Sequence, residues 1–119
     1  MRLNHDCIRD ILLYVESNTD DEKICISSKE LITALSQYDK NTLFYHIRRM
    51  DTAELFDNVY YSEDEPDLIS NLSWTGHNYI DNIRDDKIWN KTKAAASKLV
   101  SVSFPILIQK AADIAFKSF

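Results

Sequence analysis

The stretch that most constrains the fold lies between residues 38 and 56, YDKNTLFYHIRRMDTAELF. Leu43, Ile47 and Met50 recur at i, i+4 and i+7, with Phe44 beside them, so one side of a short helix must be buried. The opposite side collects Asn41, Thr42, Tyr45, His46 and Arg49, with Arg48 beside the last of these. These side chains hydrogen-bond, stack or meet phosphate, as the second helix of a helix-turn-helix does. The rest of the chain reads as support for this helix.

Asn4 is placed to cap a first helix, with Asp6 in its first turn and Ile8, Ile11, Leu12 and Val15 at helical spacing. An acidic turn over residues 18–22 leads into a β-prone run at residues 23–26. Ser27 and Glu30 have the spacing of a capping box, opening a second helix that turns Leu31, Ile32 and Leu35 inward. Beyond the third helix, residues 58–62 and 68–74 read as strands flanking a loop at residues 63–67. Helix, strand, helix, helix, strand, strand is the order of a winged helix-turn-helix with a β-hairpin wing.

Thr75 and the single glycine, Gly76, are expected to open a long fourth helix carrying Tyr79, Ile80 and Ile83. The apolar phase then slips past Asp85-Asp86 to Ile88, Trp89, Ala95, Ala96 and Leu99, which implies a bend or a second packing surface. Ser103 and Pro105 mark a last helix with a wide apolar stripe. The expected class is mainly α, with a small sheet. Residues 1–75 form a winged helix-turn-helix domain, and residues 76–119 form a helical extension that packs on it or mediates dimerisation.

With 119 residues, the chain is long enough to bury a core without disulfides or metal. Cys7 and Cys25 form no Cys-x-x-Cys pair and fit small thiols in a reducing compartment. No amino-terminal segment resembles a signal peptide and no stretch reaches the length of a membrane span. A cytoplasmic protein with no membrane partner is therefore expected. His5, His46 and His77 lack partners at metal-ligand spacing, so no metal or cofactor is expected. A lone glycine excludes phosphate-cradling glycine loops, and no serine sits in a Gly-x-Ser-x-Gly elbow. Acidic pairs such as Asp20-Asp21 and Asp85-Asp86 fit solvated faces, and an enzyme is not expected.

Charge is divided along the chain: residues 1–86 hold 8 Lys+Arg and 18 Asp+Glu, net −10, whereas residues 87–119 hold 6 and 1, net +5. The segment with the form of a DNA-binding module carries the sign that repels phosphate. Two functions follow as expectations. One is a DNA-binding or transcription-regulator-like module contacting duplex through Asn41, Thr42, Tyr45, His46, Arg48 and Arg49. The alternative is an acidic factor that binds a host protein through the same scaffold. Phe104, Leu107, Ile108 and Ile114 on the last helix are the expected contact of a homodimer.

The segments LNHDCIRDILL (residues 3–13) and LSWTGHNYIDNIRDD (residues 72–86) resemble an uncharacterised family of short bacterial phage and prophage proteins, the domain-of-unknown-function family 2513. The central YHIRRMDTAELF is similar to a winged-helix recognition helix running into a strand. The resemblance implies a phage or prophage setting and no established activity. Where winged helices commonly place glycine, this chain has Glu54, so its third helix must end without a residue at ease in the left-handed region.

Overall fold

The computed structural model describes residues 1–97 and 102–117. Helix α1 (His5–Asn18) opens where expected: the Asn4 side chain accepts from the Cys7 N–H at 3.1 Å, and Cys7, Ile8, Ile11, Leu12 and Val15 are buried. Strand β1 (Cys25–Ser27) runs directly into α2 (Ser28–Ala34). Both arms of the capping box are made there. Glu30 N–H donates to Ser27 Oγ at 3.1 Å, and Ser27 N–H donates to Glu30 Oε1 at 2.9 Å. Asp39 caps α3 (Lys40–Thr52), accepting from the Thr42 N–H at 2.7 Å.

Leaving α3, the chain turns at Glu54, whose φ of 61° lies in the left-handed region that favours glycine. Strands β2 (Val59–Ser62) and β3 (Glu65–Ser70) follow, and the antiparallel sheet has the order β1-β3-β2. Val59 pairs with Ile69 and Ile26 pairs with the same Ile69, so this residue sits at the centre of the sheet and is fully buried. The hairpin departs from the expected five-residue loop. Its turn is only Glu63 and Asp64, both at positive φ (53° and 65°), and Glu65, Pro66 and Asp67 belong to β3. Pro66 is tolerated because β1 pairing stops at Leu68, leaving the proline opposite Tyr61 alone.

Strand β3 also ends earlier than residue 74. Phe56 bridges Leu72, and Ser73 then starts α4 (Trp74–Ile83): its hydroxyl accepts from Gly76 N–H at 3.1 Å, so Ser73 is the cap in place of Thr75. The expected bend is a full break. Helix α5 (Asp86–Ala96) has its own cap, Asp85, which accepts from Ile88 N–H at 2.9 Å. Helix α6 (Phe104–Lys117) begins between Ser103 and Pro105 as expected. Leu99 and Phe119, assigned to apolar stripes by the sequence, lie outside the described residues.

The described residues therefore form a mixed α+β, mostly helical protein with six helices and one three-stranded antiparallel sheet. It divides into two compact units, Met1–His77 and Asn78–Phe119, a boundary two residues beyond the expected one and inside α4. In the first, Ile8, Ile11, Leu12, Leu31, Leu43, Ile47 and Leu55 are buried and α1 packs on α3. Leu35, expected with them, is half-buried at the end of α2. In the second, α5 packs on α6 around Trp89 and Leu107, and the Tyr79 and Phe104 rings lie 5.7 Å apart. Cys7 is buried and Cys25 half-buried, both free; desolvation pushes the Cys7 thiol up to about 12, so it stays protonated and inert.

Candidate nucleic-acid interface

Burial of Leu43, Phe44, Ile47 and Met50 leaves Asn41 and Arg49 exposed on α3 and Thr42, Tyr45 and Arg48 half-buried. From Lys40 to Met50 the helix carries Lys40, Arg48 and Arg49 and no carboxylate. The Arg49 guanidinium stacks over the Tyr45 ring at 5.5 Å. That stacking holds a long cation in place against a planar surface and limits the rotamer freedom it loses on meeting a ligand.

His46 does not belong to this surface. It is fully buried, with Nε2 2.8 Å from the Asn4 N–H and Nδ1 2.8 Å from the Thr42 carbonyl. A backbone N–H only donates, so Nε2 is the acceptor and Nδ1 carries the proton that goes to Thr42. The ring thereby joins the start of α1 to α3. The spacing contains this signal: His46 stands three residues after Leu43 and four before Met50, on the flank of the buried stripe.

Arg48 also serves the fold. Its guanidinium donates to the Asp64 carbonyl in the hairpin turn and lies 5.5 Å over the Tyr61 ring. Tyr61 Oη donates in turn to Asp51 Oδ2 at 2.7 Å, and burial followed by that bond pushes the phenol up to about 12. At the other end of α3, Lys40 Nζ stands 2.9 Å from Glu65 Oε2. Helical spacing gives no sign of Lys40 as part of this surface, because its partner is supplied by a strand rather than by the helix. The hairpin is thus fastened along α3, and of the six residues expected at the interface Asn41, Thr42, Tyr45 and Arg49 lie outside that fastening and are not fully buried.

Carboxylates Glu63, Asp64 and Asp67 crowd the exposed end of the hairpin, with Asp57 exposed near its base. Among the described residues there is no group of three or more metal-ligating side chains, and no helix is long and apolar enough to cross a membrane. Most of the residues expected to form a dimer contact are taken up inside the chain itself. Phe104, Leu107 and Ile108 are buried within a single chain and Ile114 is half-buried; the exposed apolar residues of α6 are Ile106 and Phe116.

A small helical protein with a three-stranded sheet and a cationic helix braced by a hairpin is the class these observations define. The chain belongs to the family described as hypothetical protein (DUF2513), which matches residues 2–103. It is 33% identical over 117 residues to an uncharacterized protein of Haemophilus influenzae strain Rd, covering 96% of this chain and 95% of that one. No solved structure matches the chain.

Proposed function

We propose that residues 1–77 form a winged helix-turn-helix and that its third helix docks on duplex DNA. The order α1-β1-α2-α3-β2-β3 with sheet order β1-β3-β2 supports the winged-helix reading. The observation that carries the DNA reading is α3 itself: its apolar side is wholly buried, and its open side offers cations and hydrogen-bonding groups without a carboxylate from Lys40 to Met50. Arg49 supplies the free charge, to a phosphate or to the O6/N7 edge of guanine. Asn41 has the amide pair suited to adenine, and Thr42 and Tyr45 are placed for backbone oxygens.

A second reading, docking on a protein, is favoured by charge. Residues 1–77 carry 15 Asp+Glu against 7 Lys+Arg, and Glu63 and Asp64 at the hairpin turn repel any phosphate brought alongside. Fluorescence anisotropy with labelled duplexes over a salt series separates the two. DNA docking gives a linear fall of log affinity with log salt, and Arg49→Ala, by removing one cation from the phosphates, makes that slope shallower by about 0.9. Absence of duplex binding at low salt, across varied sequences, overturns the DNA reading in favour of the protein one.

A further inference from the structure

We infer that the turn end of the hairpin, residues 61–65, is an autoinhibitory clamp, an internal competitor that occupies two cations of α3 and lets go of them when a phosphate backbone takes its place. The inference rests on the reading of α3 as a duplex-binding helix. Of its three cations, two face the hairpin. Lys40 is ion-paired to the Glu65 carboxylate, and Arg48 donates to the Asp64 carbonyl. Arg49, stacked on Tyr45, makes no such contact with the hairpin among the described residues. The Tyr61 hydroxyl bond to Asp51 fastens the other strand of the hairpin beside Arg48.

The groups the hairpin presents are those a phosphate presents: a carboxylate oxygen to Lys40 and a carbonyl oxygen to Arg48. A phosphate backbone offers a charged oxygen to each cation at once, so the exchange favours the polyanion at Arg48, where a neutral acceptor is replaced by a charged one. The Lys40–Glu65 pair is half-exposed on both sides (57% and 52%), which keeps the clamp weak enough to open. The turn is acidic at two positions, Glu63 and Asp64, whose positive φ is most easily adopted by glycine or asparagine. Anionic residues stand there despite the backbone cost, in the turn whose Asp64 carbonyl accepts from Arg48.

The test compares the full chain with Glu65→Gln, Glu63→Gln and the double variant Lys40→Gln/Glu65→Gln, by anisotropy on one labelled duplex across a salt series. Glu65→Gln frees Lys40. It should bind about two- to fivefold tighter, the scale of one exposed ion pair, with a salt slope steeper by about 0.9 for the added phosphate contact. Glu63→Gln removes the same charge without freeing a cation, so its slope should match the parent and its gain should be smaller. The double variant should lose both the gain and the added slope. Equal gains and slopes for Glu63→Gln and Glu65→Gln reduce the effect to general repulsion and overturn the clamp while leaving the DNA reading intact. No gain for Glu65→Gln beside measurable parent binding overturns it too. If no protein in the set binds duplex at low salt, the DNA reading falls and the clamp falls with it. Thermal melts of each variant, followed by circular dichroism, establish that the folded proteins are being compared.

Discussion

Substituting the single glycine tests how the first unit is closed. A Cβ added at Gly76 would lie 2.2 Å from the Leu55 carbonyl oxygen, 3.2 Å from its carbon and 3.3 Å from Leu72 Cβ. The first of these is far inside any contact a Cβ makes, and it falls on backbone, which has no rotamer through which to yield. The same carbonyl accepts the Ser73 N–H at 3.0 Å, and Ser73 Oγ donates to the Glu54 carbonyl at 2.6 Å. Moving α4 away by most of an ångström strains both bonds together. Alanine brings at most about 1 kcal/mol of helix propensity. Against it stand about 1–3 kcal/mol of overpacking and about 1 kcal/mol for each hydrogen bond weakened. Gly76→Ala should therefore cost about 2–4 kcal/mol, a large share of the stability of a small domain. Urea denaturation measures this as a lower midpoint at unchanged m. A variant as stable as the parent, or more stable, would refute the reasoning, because propensity alone would then have decided the sign.

Further outcomes follow from the same geometry. Glu54→Gly and Asp64→Gly, at φ 61° and 65°, should each raise stability by about 1 kcal/mol by relieving a left-handed residue; a lowered urea midpoint for both contradicts the account of these turns. On the acid side, Asp20, Asp39 and Glu30 are held below their ordinary values of 3.8, 3.8 and 4.5, chiefly by backbone N–H groups of Lys23, Thr42 and Ser27. A depressed carboxylate stabilises the fold above its ordinary value, so stability should fall as pH drops below about 4, and Asp39→Asn should flatten that fall. On the alkaline side the Tyr61 phenol is raised from 10.0 to about 12, so its contribution is complete below pH 10 and is lost as pH rises towards 12. Urea midpoints against pH should show Tyr61→Phe with a shallower alkaline decline than the parent.

The parts of this fold that were legible in the sequence are those decided within one turn of helix. Asn4 and the Ser27/Glu30 box cap helices through atoms three residues away, and the stripes Ile8-Ile11-Leu12-Val15 and Leu43-Ile47-Met50 need only helical spacing to declare a buried side. Glu54 shows the same logic in reverse, since a helix running straight into a strand requires a left-handed residue whether or not glycine is supplied. What escaped was decided across the chain. His46 looks polar on a helix projection, but the Asn4 N–H, 42 residues away, gives its ring a buried acceptor role and takes it off the exposed side of α3. Residues 63–67, EDEPD, read as a solvated acidic loop because neither carboxylates nor a proline favour a strand. Three of the five lie in β3 nonetheless, and Glu65 and Pro66 pair with Ser62 and Tyr61. Lys40 stands across from Glu65, Arg48 takes the Asp64 carbonyl, and β1 stops short of Pro66, so each local objection to the strand is answered by a different distant segment. Arg48 follows the same rule: its guanidinium is taken by the Asp64 carbonyl of the hairpin turn, a partner that helical spacing does not show, whereas Arg49 stacks on Tyr45 of its own helix.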